Sequence, residues 1–110
     1  MPVLKEEKKE EVNHPQRYAD SCSIECIEVM EVIMGTENTA WFCLCNAFKY
    51  MWRYKNKNGA EDIDKARWYL DWIEHKMCLG YTFSPEFSTC FVRIKDLYIT
   101  IQDKISNHED

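Results

Sequence analysis

The sequence predicts an all-α protein, a small single-domain bundle of about four helices with a flexible N-terminal tail. A length of 110 residues is enough to bury one core but not two. Apolar residues recur at the three- and four-residue spacing of helices. The three glycines and Pro85 stand between these periodic segments, where helices end or begin.

The first segment, residues 1–12, mixes lysines and glutamates with little to bury, which indicates a charged tail ahead of a helical domain at 13–110. Serine and threonine caps, acidic first turns, glycines and a proline at a helix start set the expected boundaries. The helices are expected at about Ile24–Met34, Thr39–Tyr54, Ala60–Met77 and Phe87–Ser106, with a turn from Asn56 to Gly59.

Composition argues against two classes of protein. The sequence contains no apolar run of about 18 residues and no signal peptide after its N-terminal Met1, so neither a membrane protein nor a secreted one is expected. We therefore expect a cytoplasmic location, and we expect the six cysteines to be reduced, buried thiols.

Positive charge is concentrated in one segment. Between Asn46 and Asn58 there are four basic residues and no acidic one, although the chain carries a formal charge of -5. At about 100° per residue, one face of the second helix carries Trp41, Leu44, Phe48, Met51 and Trp52 and is expected to be core. A separate arc carries Asn46, Lys49, Tyr50 and Arg53, with Lys57 near its extension. This cationic row is either a solvated face or a site for a compact anion such as a phosphate.

The third helix offers a possible opposing wall. Its buried stripe is expected to contain Ala66, Tyr69, Leu70, Ile73 and Met77, and Asp62 and Lys65 fall on the same side. A charge directed toward a core needs a partner or a ligand. Alternatively, Asp62 caps the helix and Lys65 extends along its own stem to water.

Acidic residues of the first helix, among them Glu25, Glu28 and Glu31, could pair with the cationic row or hold a divalent metal. All-α pyrophosphohydrolases of the MazG type bind magnesium through ExxE and ExxD pairs, which suggests Glu28 and Glu31 with Glu61 and Asp64. Because Asp64 projects to the solvent side of its predicted helix, these four carboxylates are not expected to converge, and we assign none of them as a metal ligand.

Four segments together resemble a family of small tailed-bacteriophage proteins, DUF3310, whose members are commonly labelled nucleotide kinase-like. The resemblance covers a core at about 13–76, with a C-terminal helical extension at 77–110. The segments that carry it are His14-Pro15-x2-Tyr18, Ile24-Glu25-Cys26-Ile27-Glu28, the run from Asn46 to Gly59, and Glu61-Asp62-x2-Lys65-Ala66-x-Trp68-Tyr69-Leu70.

The resemblance implies a phage-encoded nucleotide-binding protein in the cytoplasm of a bacterial host, with ATP-dependent phosphorylation of deoxynucleoside monophosphates as the implied reaction. ATP would be the phosphate donor, and a requirement for Mg²⁺ is left open. We expect a nucleotide and a second copy of the chain as partners, and no long nucleic acid or membrane. The expected phosphate ligands are Lys49, Arg53, Lys57 and Lys65, and the groups expected to orient sugar or base are His14, Tyr18, Asn46 and Tyr50.

Catalytic roles are expected for Glu25, Asp62 and Lys65, which would hold a metal, orient the acceptor or offset charge on the transferring group. Three alternatives stay open beside this hypothesis. The chain could sequester a signalling nucleotide of host defence without changing it, could act as a MazG-like pyrophosphohydrolase, or could inhibit another protein through its acidic surface.

Overall fold

The prediction of an all-α fold is confirmed. A computed structural model describes residues 24–107, and side chains from Cys26 onward. Four α-helices and one 3₁₀ turn account for most of these residues, and no β-strand occurs among them. The helices are α1 (Ile24–Met34), α2 (Thr36–Arg53), α3 (Ala60–Cys78) and α4 (Pro85–Ser106), and the 3₁₀ turn Tyr54–Asn56 follows α2 directly.

Gly35 alone separates α1 from α2. Its backbone has a φ of 91°, in the left-handed region that favours glycine, which ends α1 as predicted. Thr36 and Thr39 were both candidate N-caps for α2, and the helix begins at Thr36, three residues before the predicted Thr39. Thr39 is fully buried, and its hydroxyl donates to the Gly35 carbonyl oxygen at 2.9 Å, four residues back within the helix.

The ends of α3 and α4 follow their predicted signals. At the C-terminus of α3, the N–H groups of Gly80 and Tyr81 donate to the carbonyls of Met77 and Lys76, which is the hydrogen-bond pattern of a Schellman motif. At the start of α4, the Ser84 hydroxyl oxygen accepts from the Phe87 N–H at 3.2 Å and Pro85 occupies the first turn.

The chain divides into two units at Thr39–Ala40, inside α2. In the second unit, α2 from Ala40 onward meets α4 through the edge-to-face rings of Trp41 and Phe87, 4.9 Å apart. Lys95 of α4 pairs with Glu74 of α3. The predicted single domain at 13–110 stays a prediction, and its tail at 1–12 lies outside the described residues.

The predicted core face of α2 is wrong in its rotational phase. Leu44 and Met51 are buried, but Phe48 is 41% exposed and Trp52 is 77% exposed. From Ala40 onward, small residues of the helix form its buried arc instead, together with two larger ones: Ala40, Cys43, Leu44, Ala47 and Met51. Tyr54 of the following 3₁₀ turn is also buried. Since Phe48 follows Ala47 by one residue, it is rotated about 100° away from that arc.

The predicted buried stripe of α3 is largely confirmed. Four of its five residues are buried and Met77 is partly exposed; the buried ones are Ala66, Tyr69, Leu70 and Ile73.

The prediction that the cysteines are buried is wrong for most of those that the structure describes. Cys43 is buried, whereas Cys26, Cys45, Cys78 and Cys90 are exposed. Between residues 24 and 107, no helix is long and apolar enough to cross a membrane.

Candidate anion-binding site

The Tyr50 ring lies at the centre of a group of positive charges. The Lys49 Nζ and the Arg53 guanidinium carbon each lie 4.8 Å from the centre of the ring, and the Lys65 Nζ lies 5.4 Å from it. All three distances are within the range of cation–π attraction. We call Lys49, Tyr50, Arg53 and Lys65 the cation cluster.

Two helices position this cluster. Lys49, Tyr50 and Arg53 belong to the last turns of α2, where residues four apart such as Lys49 and Arg53 are surface neighbours. Lys65 comes from α3, four residues before Tyr69, and the Tyr69 ring is nearly parallel to the Tyr50 ring with their centres 6.1 Å apart. Because Tyr69 is buried, the Tyr50 ring rests against a side chain that belongs to the core.

Arg53 is held by a buried carboxylate. Its Nε donates to Asp62 Oδ2 and its Nη2 donates to Asp62 Oδ1, both at 3.3 Å. The backbone N–H of Asn58 donates to the same Oδ2 at 3.1 Å. The Asp62 side chain is 0% exposed and that of Arg53 is 34% exposed, so a fully buried acid anchors a partly exposed base.

The Asp62 carboxylate stays charged in this setting. Burial by itself raises the pKa of Asp62, but the hydrogen bonds from Arg53 and from the Asn58 backbone, together with the Arg53 charge, outweigh it. The pKa of Asp62 therefore lies below its ordinary value of 3.8. The result is a charged pair that also closes the turn between α2 and α3.

This pairing leaves a surplus of positive charge at the two lysines of the cluster. Asp62 offsets the charge of Arg53, while the nearest acid to Lys65 is Glu61 at 3.9 Å, on a side chain that is 53% exposed. An exposed pair at that separation is weak. Among the described residues, no carboxylate lies within 4.0 Å of the exposed Lys49 ammonium.

Two other members of the predicted row lie apart from this centre. The Asn46 amide donates to the Phe42 carbonyl at 2.9 Å, within its own helix. Lys57 is exposed and lines a shallow depression of about 510 Å³ with Tyr54, Lys55, Asn58 and Gly59. The structure thus brings together Lys49, Tyr50, Arg53 and Lys65 of the predicted ligands.

Of the remaining predicted site residues, His14 and Tyr18 lie outside the described residues, and so does the side chain of Glu25. The predicted catalytic pair is described, with Asp62 bound to Arg53 and Lys65 near Tyr50. Within the described part of the chain, no three His, Cys, Asp or Glu side chains are grouped so that they could hold a metal ion. The MazG-like arrangement gains no support from this.

Sequence reasoning missed two features of the site. The first is the backbone N–H of Asn58, which donates a third hydrogen bond to the Asp62 carboxylate. The second is Tyr69, which was expected to be core and also supports the Tyr50 ring. The sequence did carry a signal for the Asn58–Asp62 hydrogen bond. Asp62 is the third residue of a helix that follows a glycine turn, and an acidic side chain at that position commonly accepts from a backbone N–H of the preceding turn.

Comparison with known proteins gives a family and no characterised relative. The family described as "protein of unknown function (DUF3310)" matches residues 12–71, more than half of the chain. That range includes α1, α2 and the first part of α3, with every member of the cation cluster. Neither the curated proteins nor the solved structures gave a match. The chain therefore belongs to the DUF3310 family.

Proposed function

We propose that this protein binds a nucleotide through its phosphate groups at the cation cluster. One observation carries the proposal: Lys49 and Lys65, from two different helices, point their ammonium groups at a single ring while only Arg53 has a buried acidic partner. Like charges brought together in this way repel each other, and an anion placed among them removes that repulsion.

Phosphate suits this arrangement better than a simple carboxylate. Each lysine ammonium offers three donors, and charge-assisted bonds to phosphate oxygens are among the strongest in proteins. Arg53 keeps an N–H face beyond the two donors that Asp62 accepts, and it is one-third exposed. The rest of the chain is acidic, which disfavours a long polyanion and favours a compact ligand.

Phosphoryl transfer is the finer proposal, and it rests on the family resemblance. The γ-phosphoryl group of ATP would move to a phosphate oxygen of a deoxynucleoside monophosphate, giving ADP and the diphosphate. Lys49, Arg53 and Lys65 would offset charge on the transferring group. Asp62 then positions Arg53, because its oxygens already accept three hydrogen bonds.

The alternative to phosphoryl transfer is nucleotide binding without a reaction, and the environment of the Asp62 carboxylate favours this alternative. Both acids beside the cluster, Asp62 and Glu61, have a cation as neighbour, and Asp62 is sealed from solvent. Asp62 is therefore not free to hold a metal or to orient an acceptor, the roles that catalysis would give it. A protein of this design would hold its nucleotide unchanged, as a sequestering protein does.

Calorimetric titration of the purified full-length chain with ATP and with a panel of deoxynucleoside monophosphates tests binding. We expect Lys49→Ala and Lys65→Ala each to weaken affinity by about 10- to 100-fold, the value of a hydrogen bond to a charged group. Lys104→Ala, on the exposed side of α4, is the matched control and should bind like the wild type. No binding by the wild type, or equal losses in all three variants, would contradict the proposal.

Chromatography of the nucleotides, after the protein is incubated with ATP, Mg²⁺ and a deoxynucleoside monophosphate, distinguishes phosphoryl transfer from sequestration. Formation of ADP and a deoxynucleoside diphosphate, lost or strongly reduced in the exposed-site variant Lys49→Ala, would establish phosphoryl transfer. Recovery of both nucleotides unchanged from a protein that binds them tightly would establish sequestration.

A further inference from the structure

Phe48 and Trp52 form a stacked aromatic pair on the surface of α2. Their ring centres are 5.8 Å apart and their planes are inclined by 26°. Phe48 is 41% exposed and Trp52 is 77% exposed, the latter being among the most exposed large apolar side chains of the described chain. We call these two residues the aromatic pair.

The aromatic pair is a preformed flat surface. Residues four apart on a helix are neighbours, so each ring restricts the rotation of the other, and the outer face of Trp52 stays open to water. The core of this unit is already filled from the neighbouring buried arc of α2 by small residues and by Met51. Burial in the core therefore does not explain the pair.

Lys49 joins the aromatic pair to the cation cluster. It lies three residues before Trp52 and four before Arg53, so it is a surface neighbour of both, at about 5–6 Å between Cβ atoms. Its ammonium lies 4.8 Å from the centre of the Tyr50 ring. A flat aromatic surface and a positive surface thus adjoin along one helix, within the reach of one small ligand.

Tyr50 is poorly placed to stack a base itself. Tyr69 lies nearly parallel to its ring with the centres 6.1 Å apart, and three cations lie 4.8 to 5.4 Å from the ring centre. The Tyr50 ring is thus already engaged by four neighbours within its own unit. The sequence suggested that Tyr50 orients the base, but the exposed ring of Trp52 is better placed for this role.

We infer that the aromatic pair stacks the base of the nucleotide whose phosphates lie in the cation cluster, with Trp52 as the contact surface; this rests on the proposed function. Stacking on an aromatic side chain is available to every base because each has a π-face, so this contact adds affinity with little discrimination among bases. The positive charge around the aromatic pair favours an anionic ligand over an apolar one, because residues 46–58 contain four lysine or arginine residues and no acidic residue.

Titration of wild type, Trp52→Ala and Trp52→Phe with ATP and with inorganic tripolyphosphate tests the inference, because the second probe has the phosphate chain without a nucleoside. We expect Trp52→Ala to weaken ATP binding by about 5- to 150-fold, the range measured for one stacked base, and to leave tripolyphosphate binding unchanged. Trp52→Phe keeps a ring and should retain most of the ATP affinity. ATP should quench tryptophan fluorescence in the wild type and lose most of that effect in Trp52→Phe.

The outcomes separate this inference from the proposed function. If the wild type binds neither probe, the proposed function fails. If it binds both and Trp52→Ala binds ATP as tightly as the wild type, the inference alone is overturned. The same holds if ATP leaves the fluorescence of the wild type unchanged, a result that does not depend on the folding of any variant. A fall in oligomer mass in Trp52→Ala by light scattering, with ATP affinity intact, would assign the pair to a subunit interface instead.

Discussion

The Arg53 guanidinium and the Asp62 carboxylate are joined by two hydrogen bonds of 3.3 Å across the turn between α2 and α3. The two partners differ in exposure, since Asp62 is sealed from solvent while Arg53 reaches it. This difference in exposure determines which of the two residues, when replaced, lowers the stability of the fold more. It also makes the pair a support for the cation cluster, because Arg53 is one of the three cations around Tyr50.

Replacing Arg53 is expected to cost more stability than replacing Asp62. Arg53→Met leaves a buried carboxylate without its cation, which typically costs about 3–5 kcal/mol. Asp62→Asn leaves a guanidinium that can turn toward water, and we expect a loss of about 1–3 kcal/mol. The double variant should lose less than the two single losses combined, because neither charge is then left behind.

Urea denaturation followed by circular dichroism at neutral pH measures all four proteins of this cycle. Equal losses for the two single variants, with additive behaviour in the double variant, would show that the ion pair contributes no coupling energy.

Acid should remove the contribution of Asp62. Its pKa is lower in the folded chain than its ordinary value of 3.8, so folding favours the charged form. The stability that this provides is fully present above the ordinary value and is lost as the pH falls through the folded value. The difference in unfolding free energy between wild type and Asp62→Asn should thus be constant from neutral pH down to about pH 5 and shrink below pH 4.

Comparing the two proteins cancels the other carboxylates, which both share. A difference that grew on acidification would mean that the pKa of Asp62 is raised in the folded chain, and that burial outweighs its hydrogen bonds.

The helices could be predicted from sequence because their ends carry local signals. Ser84 with Pro85, and the glycines at 35 and 80, act within one turn of the chain, and each ends or begins a helix where expected. The placement of Asp62 on the buried side of α3 was also correct, because it needs only the helical repeat.

The partner of Asp62 and the phase of α2 could not be predicted in this way. Arg53 reaches Asp62 only through the conformation of the turn between them, which helical phase does not describe. For α2, aromatic size suggested Phe48 and Trp52 as core, but close packing selected the arc with Ala40 and Ala47. Hydrophobicity ranks residues by transfer from water, and it does not say whether a neighbouring helix leaves room for them.

Opposite effects are therefore expected at two sites of α2. Ala47 is 0% exposed, and Ala47→Leu should cost about 1–3 kcal/mol because the larger side chain overfills a packed contact. Trp52 is 77% exposed, and Trp52→Ala should change stability by no more than about 0.5 kcal/mol. Thermal or urea unfolding measures the stability of both variants. A large loss of stability in Trp52→Ala with none in Ala47→Leu would show that Trp52 lies in the core, as its hydrophobicity suggested.

Gly59 is expected to tolerate no side chain, for reasons of backbone conformation alone. Its φ of 59° and ψ of -126° lie outside the regions open to other residues, although an added Cβ would meet no atom within 4 Å. Gly59→Ala should cost about 1–3 kcal/mol as strain. Gly59→Asn should be no better, because the left-handed conformation that asparagine accepts requires a positive ψ. Urea unfolding of both variants measures this, and recovery of most of the loss in Gly59→Asn would indicate an ordinary left-handed turn. Because the neighbouring Asn58 N–H donates to Asp62, either substitution should also weaken the nucleotide binding that we propose for the cation cluster.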